Sequence, residues 1–342
     1  MSQQRKSDHI RINLEENVNF HKLTTGLENY HFLPQALPEI NLSQIDTTID
    51  FMGKKLQTPL LISSMTGGTE QARQINYVLA EAAEARGIAM GLGSQRSALE
   101  DSRLAPTFQV RHLAPTTVLL ANVGAIQLNY GYTVQHCQRA VDMLQADALI
   151  LHFNAMQEAV QPEGDTHFRG LLDKIEGVCR ALPVPVIAKE VGWGFAEDTV
   201  RRLVNVGVQA MDVAGSGGTS WSQVEMYRAQ TEIQRRVAAT FVDWGIPTAE
   251  AILAAKRGSP ATMPIIASGG IRNGLEIAKC ISLGAIIGGM AGPFLKAATQ
   301  SVQAVLDEID ITAKELRVTM FGIGVDSITA LQKSERLVRI KN

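Results

Sequence analysis

Lys189 lies in the run PVIAKEV (185–191), where every neighbour except Glu190 is apolar. An ammonium group in such a run is costly to bury unless it serves a partner. Two uses fit that position: a Schiff-base nucleophile, or a fixed positive charge beside an electron-rich cofactor ring. A lysine that pointed outward or simply paired with Glu190 would do neither. In ALILHFNAMQEAV, His152 and Asn154 flank Phe153 and so fall on one face of an extended strand, with Gln157 and Glu158 close behind. A histidine there can move protons near neutral pH. One carboxylate among neutral neighbours cannot cage zinc, but together with substrate phosphates it can hold magnesium. The start of the chain adds a basic cluster, Arg5-Lys6 with His9 and Arg11. The usual fate of such a cluster is a frayed, solvated terminus.

Glycine-rich stretches form the second chemical signal. GLGSQR, GWGFAE and GSGGTS each approach a dinucleotide fingerprint but lack its final glycine in register. Their better use is as anion sites, where glycine turns free backbone N–H groups at helix starts. SGGIRNG (268–274) and MAGPF (290–294) are the strongest such loops, and they point to a phosphate-bearing cofactor.

The elements that must position these groups recur along the chain. Eight short apolar runs are separated by longer amphipathic segments: 59–65, 87–93, 117–123, 148–153, 185–191, 209–215, 263–269 and 284–290. Each reads as a parallel strand buried on both faces. The segment EQARQINYVLAEAAEAR reads as a helix stopped by Gly87, and TVQHCQRAVDMLQAD as one opening at Thr133. Eight strand–helix units predict a closed (β/α)8 barrel over residues 59–300 rather than a doubly wound open sheet. Residues 1–58 then form an N-terminal extension, 218–247 an insertion after the sixth strand, and 301–342 a C-terminal helical segment, all in one domain. Barrel enzymes carry their chemistry at the C-terminal ends of the strands. Polar residues break the apolar runs at that point in almost every unit, from Ser64-Met65-Thr66 through Ser94-Gln95-Arg96 and Asn122 to Asp212–Ser220.

Composition removes several classes of function. With 34 acidic and 32 basic residues the chain carries a net charge of -2, without the broad basic footprint of a nucleic-acid binder. Cys137, Cys179 and Cys280 are too scattered for a disulfide framework or a zinc site. No run approaches the roughly 18 apolar residues of a membrane span. The opening residues have no apolar core that would make a secretory signal, so a cytoplasmic protein is expected.

RKSDHI, TTGLENYHF, PLLISSMTGGT, GLGSQR, LLANVGAIQL, LHFNAMQEAVQPEGDTHFRG, KEVGWGF, DVAGSGGTSW and ASGGIRNG follow one another in order over about residues 4–335. Together they resemble the type 2 isopentenyl-diphosphate isomerases. The resemblance implies an FMN-bearing TIM barrel that interconverts isopentenyl and dimethylallyl diphosphate. It also implies reduced flavin as the active form, NADPH as reductant, Mg2+, and a homo-oligomer, either tetramer or octamer. It places FMN against Ser64, Met65, Thr66, Ser94, Asn122, Lys189, Ser216, Thr219, Gly269, Gly270, Ile271, Ala291 and Gly292. It assigns substrate to Arg5, Lys6, Ser94, Gln95, Arg96, His152, Asn154 and Gln157, catalysis to Gln157, His152 and Lys189, and the metal to Glu158.

That chemistry has a clear physical difficulty. Protonating an unactivated alkene gives a tertiary cation, and no ordinary side-chain acid at neutral pH is strong enough unaided. The family's answer is the electron-rich reduced flavin. The rival within the same fold is an FMN-dependent 2-hydroxy-acid oxidase, which needs a histidine base in a His-Gly-x-x-Arg stretch after the seventh strand. None of the seven histidines here precedes a glycine, and residues 263–275 contain no histidine. A flavin-free aldolase using Lys189 is the rival from another class.

Overall fold

A computed structural model describes residues 2–340, with side chains from residue 6 onward. Eight parallel strands close into a barrel: β1 Leu60–Ile62, β2 Ala89–Gly91, β3 Leu119–Gly124, β4 Ala148–Phe153, β5 Val186–Glu190, β6 Ala210–Asp212, β7 Ile265–Ser268 and β8 Ile287–Met290. Closure is made where Gly288 of β8 pairs with Leu60 of β1. All eight expected runs are strands. Every residue in them is buried except His152 and Phe153, at the end of β4. The apolar composition follows from this burial on both faces, and the single break in it marks an opening.

Helices Glu70–Arg86 and Val134–Leu144 form where the pattern predicts them. The first is capped by the Thr69 side chain and ends at Gly87, whose φ of 59° suits the left-handed turn. The eighth place in the outer ring is filled by Val302–Gly322, which packs between Gly274–Leu283 and Glu70–Arg86. The ring therefore runs past residue 300, because the segment after β8 is first used by a short helix, Gly292–Ala298.

The extension and the C-terminal segment meet each other. Tyr30–Phe32 pairs antiparallel with Leu337–Arg339. A hairpin, Ile49–Phe51 with Lys54–Leu56, buries Phe51 and Leu56 beneath the barrel. Lys54 anchors it there by pairing with Asp147 at 2.7 Å and donating to Thr117 O, both just ahead of β4 and β3. The opposite, C-terminal mouth is covered by the N-terminal helix Ser2–Glu15 and by two helices of the insertion, Trp221–Arg228 and Glu232–Thr240. Ile12, Val18 and Val224 form a small core of their own between that helix and the insertion, with Trp221 against it.

Candidate active site

Strand register sets the heart of the site. Gly124, His152, Lys189 and Asp212 are successive Cα partners across β3, β4, β5 and β6, so they stand at one level of the barrel. Lys189 Nζ donates to Asp212 Oδ2 at 2.8 Å and to Ser268 Oγ at 3.3 Å, and the Ser268 hydroxyl donates to Asp212 Oδ1. All three residues are buried, Asp212 completely. A buried ion pair needs further hydrogen bonds to offset desolvation, and Ser268 supplies them. Lys189 is therefore held as an ammonium by Asp212, not by its chain neighbour.

Glu190 is occupied elsewhere. One of its oxygens accepts the backbone N–H groups of Val191, Gly192, Trp193 and Gly194, which folds the loop after β5 around the carboxylate. Burial pushes this carboxyl up to about 7, against the opposite pull of the four N–H donors.

Around the row lies a cavity of about 550 Å³. It is lined by Lys6, Ser64, Met65, Thr66, Ser94, Arg96, Asn122, His152, Asn154, Gln157, Glu158, Lys189, Thr219, Gly269, Gly270, Ile271, Ala291 and Gly292, among others. Those expected residues are thus brought together from both ends of the chain. His152 Nδ1 is 2.7 Å from Asn122 Oδ1, an acceptor, which assigns the ring proton to Nδ1 and leaves Nε2 to accept. Asn154 donates to Glu158 Oε1 at 2.8 Å, and Gln157 Nε2 donates to Glu225 Oε1 at 2.9 Å. Glu158 also accepts from Gln161 and from the Asp165 backbone N–H.

Two expected site residues turn away. Gln95 is fully buried outside the cavity: its amide donates to Ala140 O at 2.9 Å and accepts from Asn122 N. It braces the loop whose flanking residues, Ser94 and Arg96, do face the cavity. Ser216 likewise lies outside the lining, and its hydroxyl donates to Gly192 O at 3.1 Å, tying two loops together. The expected substrate residue Arg5 has a side chain outside the described residues.

The N-terminal helix is seated, not frayed. Lys6 Nζ donates to Ser94 O at 2.6 Å, Asn13 accepts from Thr219, and His9 approaches Glu225 at 3.3 Å while stacking edge-on to Trp221. Glu225 is the main residue that sequence reasoning missed. Burial pushes its carboxyl up, but His9, Gln157 and Arg228 outweigh this and hold it below the usual carboxylate range. Nothing local in EMYRAQ distinguishes Glu225 from a solvated helix acid.

Comparison with known proteins supplies the family. The FMN-dependent dehydrogenase family model matches residues 2–117 and 125–339. An isopentenyl-diphosphate delta-isomerase of Nostoc sp. is 52% identical over 340 residues, covering 99% of this chain and 97% of its own. One from Rickettsia bellii is 52% identical over 331 residues, with 97% and 96% covered. A mandelate oxidase structure superposes with a TM-score of 0.66 at 17% identity, over 98% of this chain and 97% of that one. A Pediococcus acidilactici protein described as a lactate oxidase gives 0.69 at 14%, over 99% and 93%. At such identities the two oxidases show a shared barrel and nothing about substrate. The chain belongs to the FMN-dependent dehydrogenase family and, within it, to the isopentenyl-diphosphate delta-isomerases.

Proposed function

We propose that this protein interconverts isopentenyl and dimethylallyl diphosphate by a 1,3 proton shift at reduced FMN, as a step of isoprenoid biosynthesis. The observation that carries the reading is one cavity holding two unlike halves: a buried Lys189–Asp212 pair at the strand ends, and an oxygen-rich cluster around Glu158 flanked by Lys6 and Arg96.

The residues present fit FMN. The hydroxyls of Ser63 and Ser64 are buried at the cavity without a protein partner, as expected of groups meant for a ligand. Gly269 and Gly270 take φ of 103° and 72°, and a Cβ on either would strike the backbone of Gly215 or Gly217 within 2.5 Å. That close backbone packing shapes a cradle beside Ala291-Gly292, where we place the phosphate. FMN in its reduced form supplies an electron-rich ring beside the reacting alkene, and NADPH is our proposed reductant. Lys189, pinned by Asp212 and Ser268, presents a fixed positive charge at that ring.

For Mg2+ the donor set also fits. Asn154 Oδ1 and Gln161 Oε1 are buried and unpartnered on two residues that contact Glu158, so hard oxygen donors surround its carboxylate. Glu158 with diphosphate oxygens is the shell we propose. Lys6, Arg96 and Arg5 bind the diphosphate, with Ser94 and Asn154 alongside. His152 Nε2 and the Gln157 amide orient the substrate and the protons in transit. No described helix is long and apolar enough to cross a membrane; we place the protein in the cytoplasm, as a single-domain homo-oligomer.

The oxidase alternative has the fold in its favour but lacks its base: the loop after β7 reads Gly269-Gly270-Ile271-Arg272. An absorption spectrum of the purified protein, followed by turnover of isopentenyl diphosphate with and without prior reduction, tests the proposal. A flavin spectrum and activity only after reduction are expected. Equal rates in both states, or oxidation of a 2-hydroxy acid, would contradict it.

A further inference from the structure

Asp165 belongs to the loop beyond the short helix Ala155–Val160, and no part of the reading above uses its side chain. It nonetheless touches both halves of the proposed diphosphate site. Its Oδ2 accepts from Arg96 Nη1 at 2.9 Å and from Gln127 Nε2 at 2.9 Å. Its own backbone N–H donates to Glu158 Oε2 at 2.8 Å. The loop is held tightly enough to fix these contacts, since a Cβ on Gly164 would lie 1.7 Å from Glu158 O. One residue thus joins the arginine proposed for the diphosphate to the carboxylate proposed for the metal.

The geometry of Arg96 shows why this matters. Its Nε donates to Glu100 Oε1 at 2.8 Å, and Nη1 to Asp165. A guanidinium has five N–H donors in a fixed plane, so these two contacts set the plane and leave three donors for an anion. A long arginine without that second anchor would lose rotamer freedom on binding, at a cost in affinity. Gln127 on the same oxygen keeps the Asp165 carboxylate from following Arg96.

We propose that Asp165 is a positioning residue that orients the Arg96 guanidinium toward a diphosphate and sets its spacing from the Glu158 carboxylate. The inference rests on the reading of Arg96 and Glu158 given above. Asp165 touches no reacting atom; it acts through Arg96, so its loss falls on anion binding rather than on the chemical step.

The test is a double-mutant cycle read by calorimetric binding of magnesium pyrophosphate to the FMN-loaded protein. Asp165→Asn retains the backbone donor to Glu158 but loses the charge-assisted bond to Arg96. It is expected to weaken pyrophosphate binding about tenfold, and to raise KM by a similar factor with kcat nearly unchanged. In an Arg96→Ala background the same change should cost little more, because the group it positions is gone. Asp165→Glu, which keeps the charge, should recover part of the loss, with flavin content showing that each variant is folded. Equal losses in both backgrounds, or a fall in kcat alone, would overturn the positioning role. An Arg96→Ala variant that bound pyrophosphate as tightly as the wild type would overturn the diphosphate reading itself, and this inference with it.

Discussion

The two sides of the cavity are built differently. On one side Lys189, Asp212 and Ser268 project from three barrel strands, held by parallel register and closed to solvent. On the other, Lys6, Arg96, Glu158 and Glu225 ride on helices and loops laid over the mouth: Ser2–Glu15, Arg96–Glu100, Ala155–Val160 and Trp221–Arg228. Strands fix position within tenths of an ångström but cannot open. Short helices joined by loops are held by a few polar contacts, so they can admit and release a charged substrate. The half that steadies charge on a cofactor sits on the rigid part, and the half that must take up a diphosphate sits on the cover.

If that division is right, changes to the strand ring should affect both folding and the chemical step, while changes to the cover should affect binding alone. The largest effect is expected at Lys189. Lys189→Met should lower kcat on the order of 10²–10³, and by stranding Asp212 it should also lower the melting temperature. Unchanged stability would show that the ion pair is not a structural member of the ring.

The next effect is a dependence of stability on pH. The Glu190 carboxyl is raised from 4.5 to about 7 by burial. Between those values the folded protein holds a proton that the unfolded chain has released, so stability falls as pH rises through that window. The loss approaches about 3 kcal/mol above neutrality. Denaturant unfolding of wild type and Glu190→Gln at pH 5 and pH 8 measures it. The variant should gain on the wild type by that order as pH rises, and a constant difference would remove Glu190 as the cause.

Two smaller effects belong to the cover. Deleting residues 2–8 removes the Lys6 contact to Ser94 but spares buried Ile10 and Ile12. Catalytic efficiency should fall roughly tenfold to a hundredfold for one or two lost charged contacts, about 1.5–3 kcal/mol each. Flavin content and melting temperature should stay within error; a drop in either would place the helix in the structural core. Glu158→Gln should raise KM and the magnesium concentration for half-maximal rate by about tenfold, leaving FMN bound. A metal requirement equal to wild type would remove Glu158 from the shell.

Much of the ring was legible in the sequence because burial on both faces leaves long apolar runs. A lysine inside one of them, such as Lys189, is visible at once. Its partner was not, since pairing Lys189 with Asp212 requires the register of two strands 23 residues apart. Gln95 and Ser216 were assigned to the site because they stand in polar strand-end loops. Alternate residues in such loops face opposite ways, so Ser94 and Arg96 enter the cavity while Gln95 braces the wall behind it. Glu225 left no signal, because its burial arises only when the insertion folds over the mouth against His9 and Gln157. The pairing of Tyr30–Phe32 with Leu337–Arg339 was equally silent: three-residue strands at opposite ends of a chain carry no readable pattern.

The central claim is a redox-neutral proton shift at a redox cofactor, and its most direct test is isotopic. The FMN-loaded protein, reduced beforehand, is incubated with isopentenyl diphosphate in deuterium oxide while product is followed by NMR and NADPH by absorbance. The account predicts dimethylallyl diphosphate carrying solvent deuterium in its methyl groups, with no NADPH consumed per turnover and no product before reduction. Product free of deuterium, or NADPH consumed one for one with it, would contradict the account.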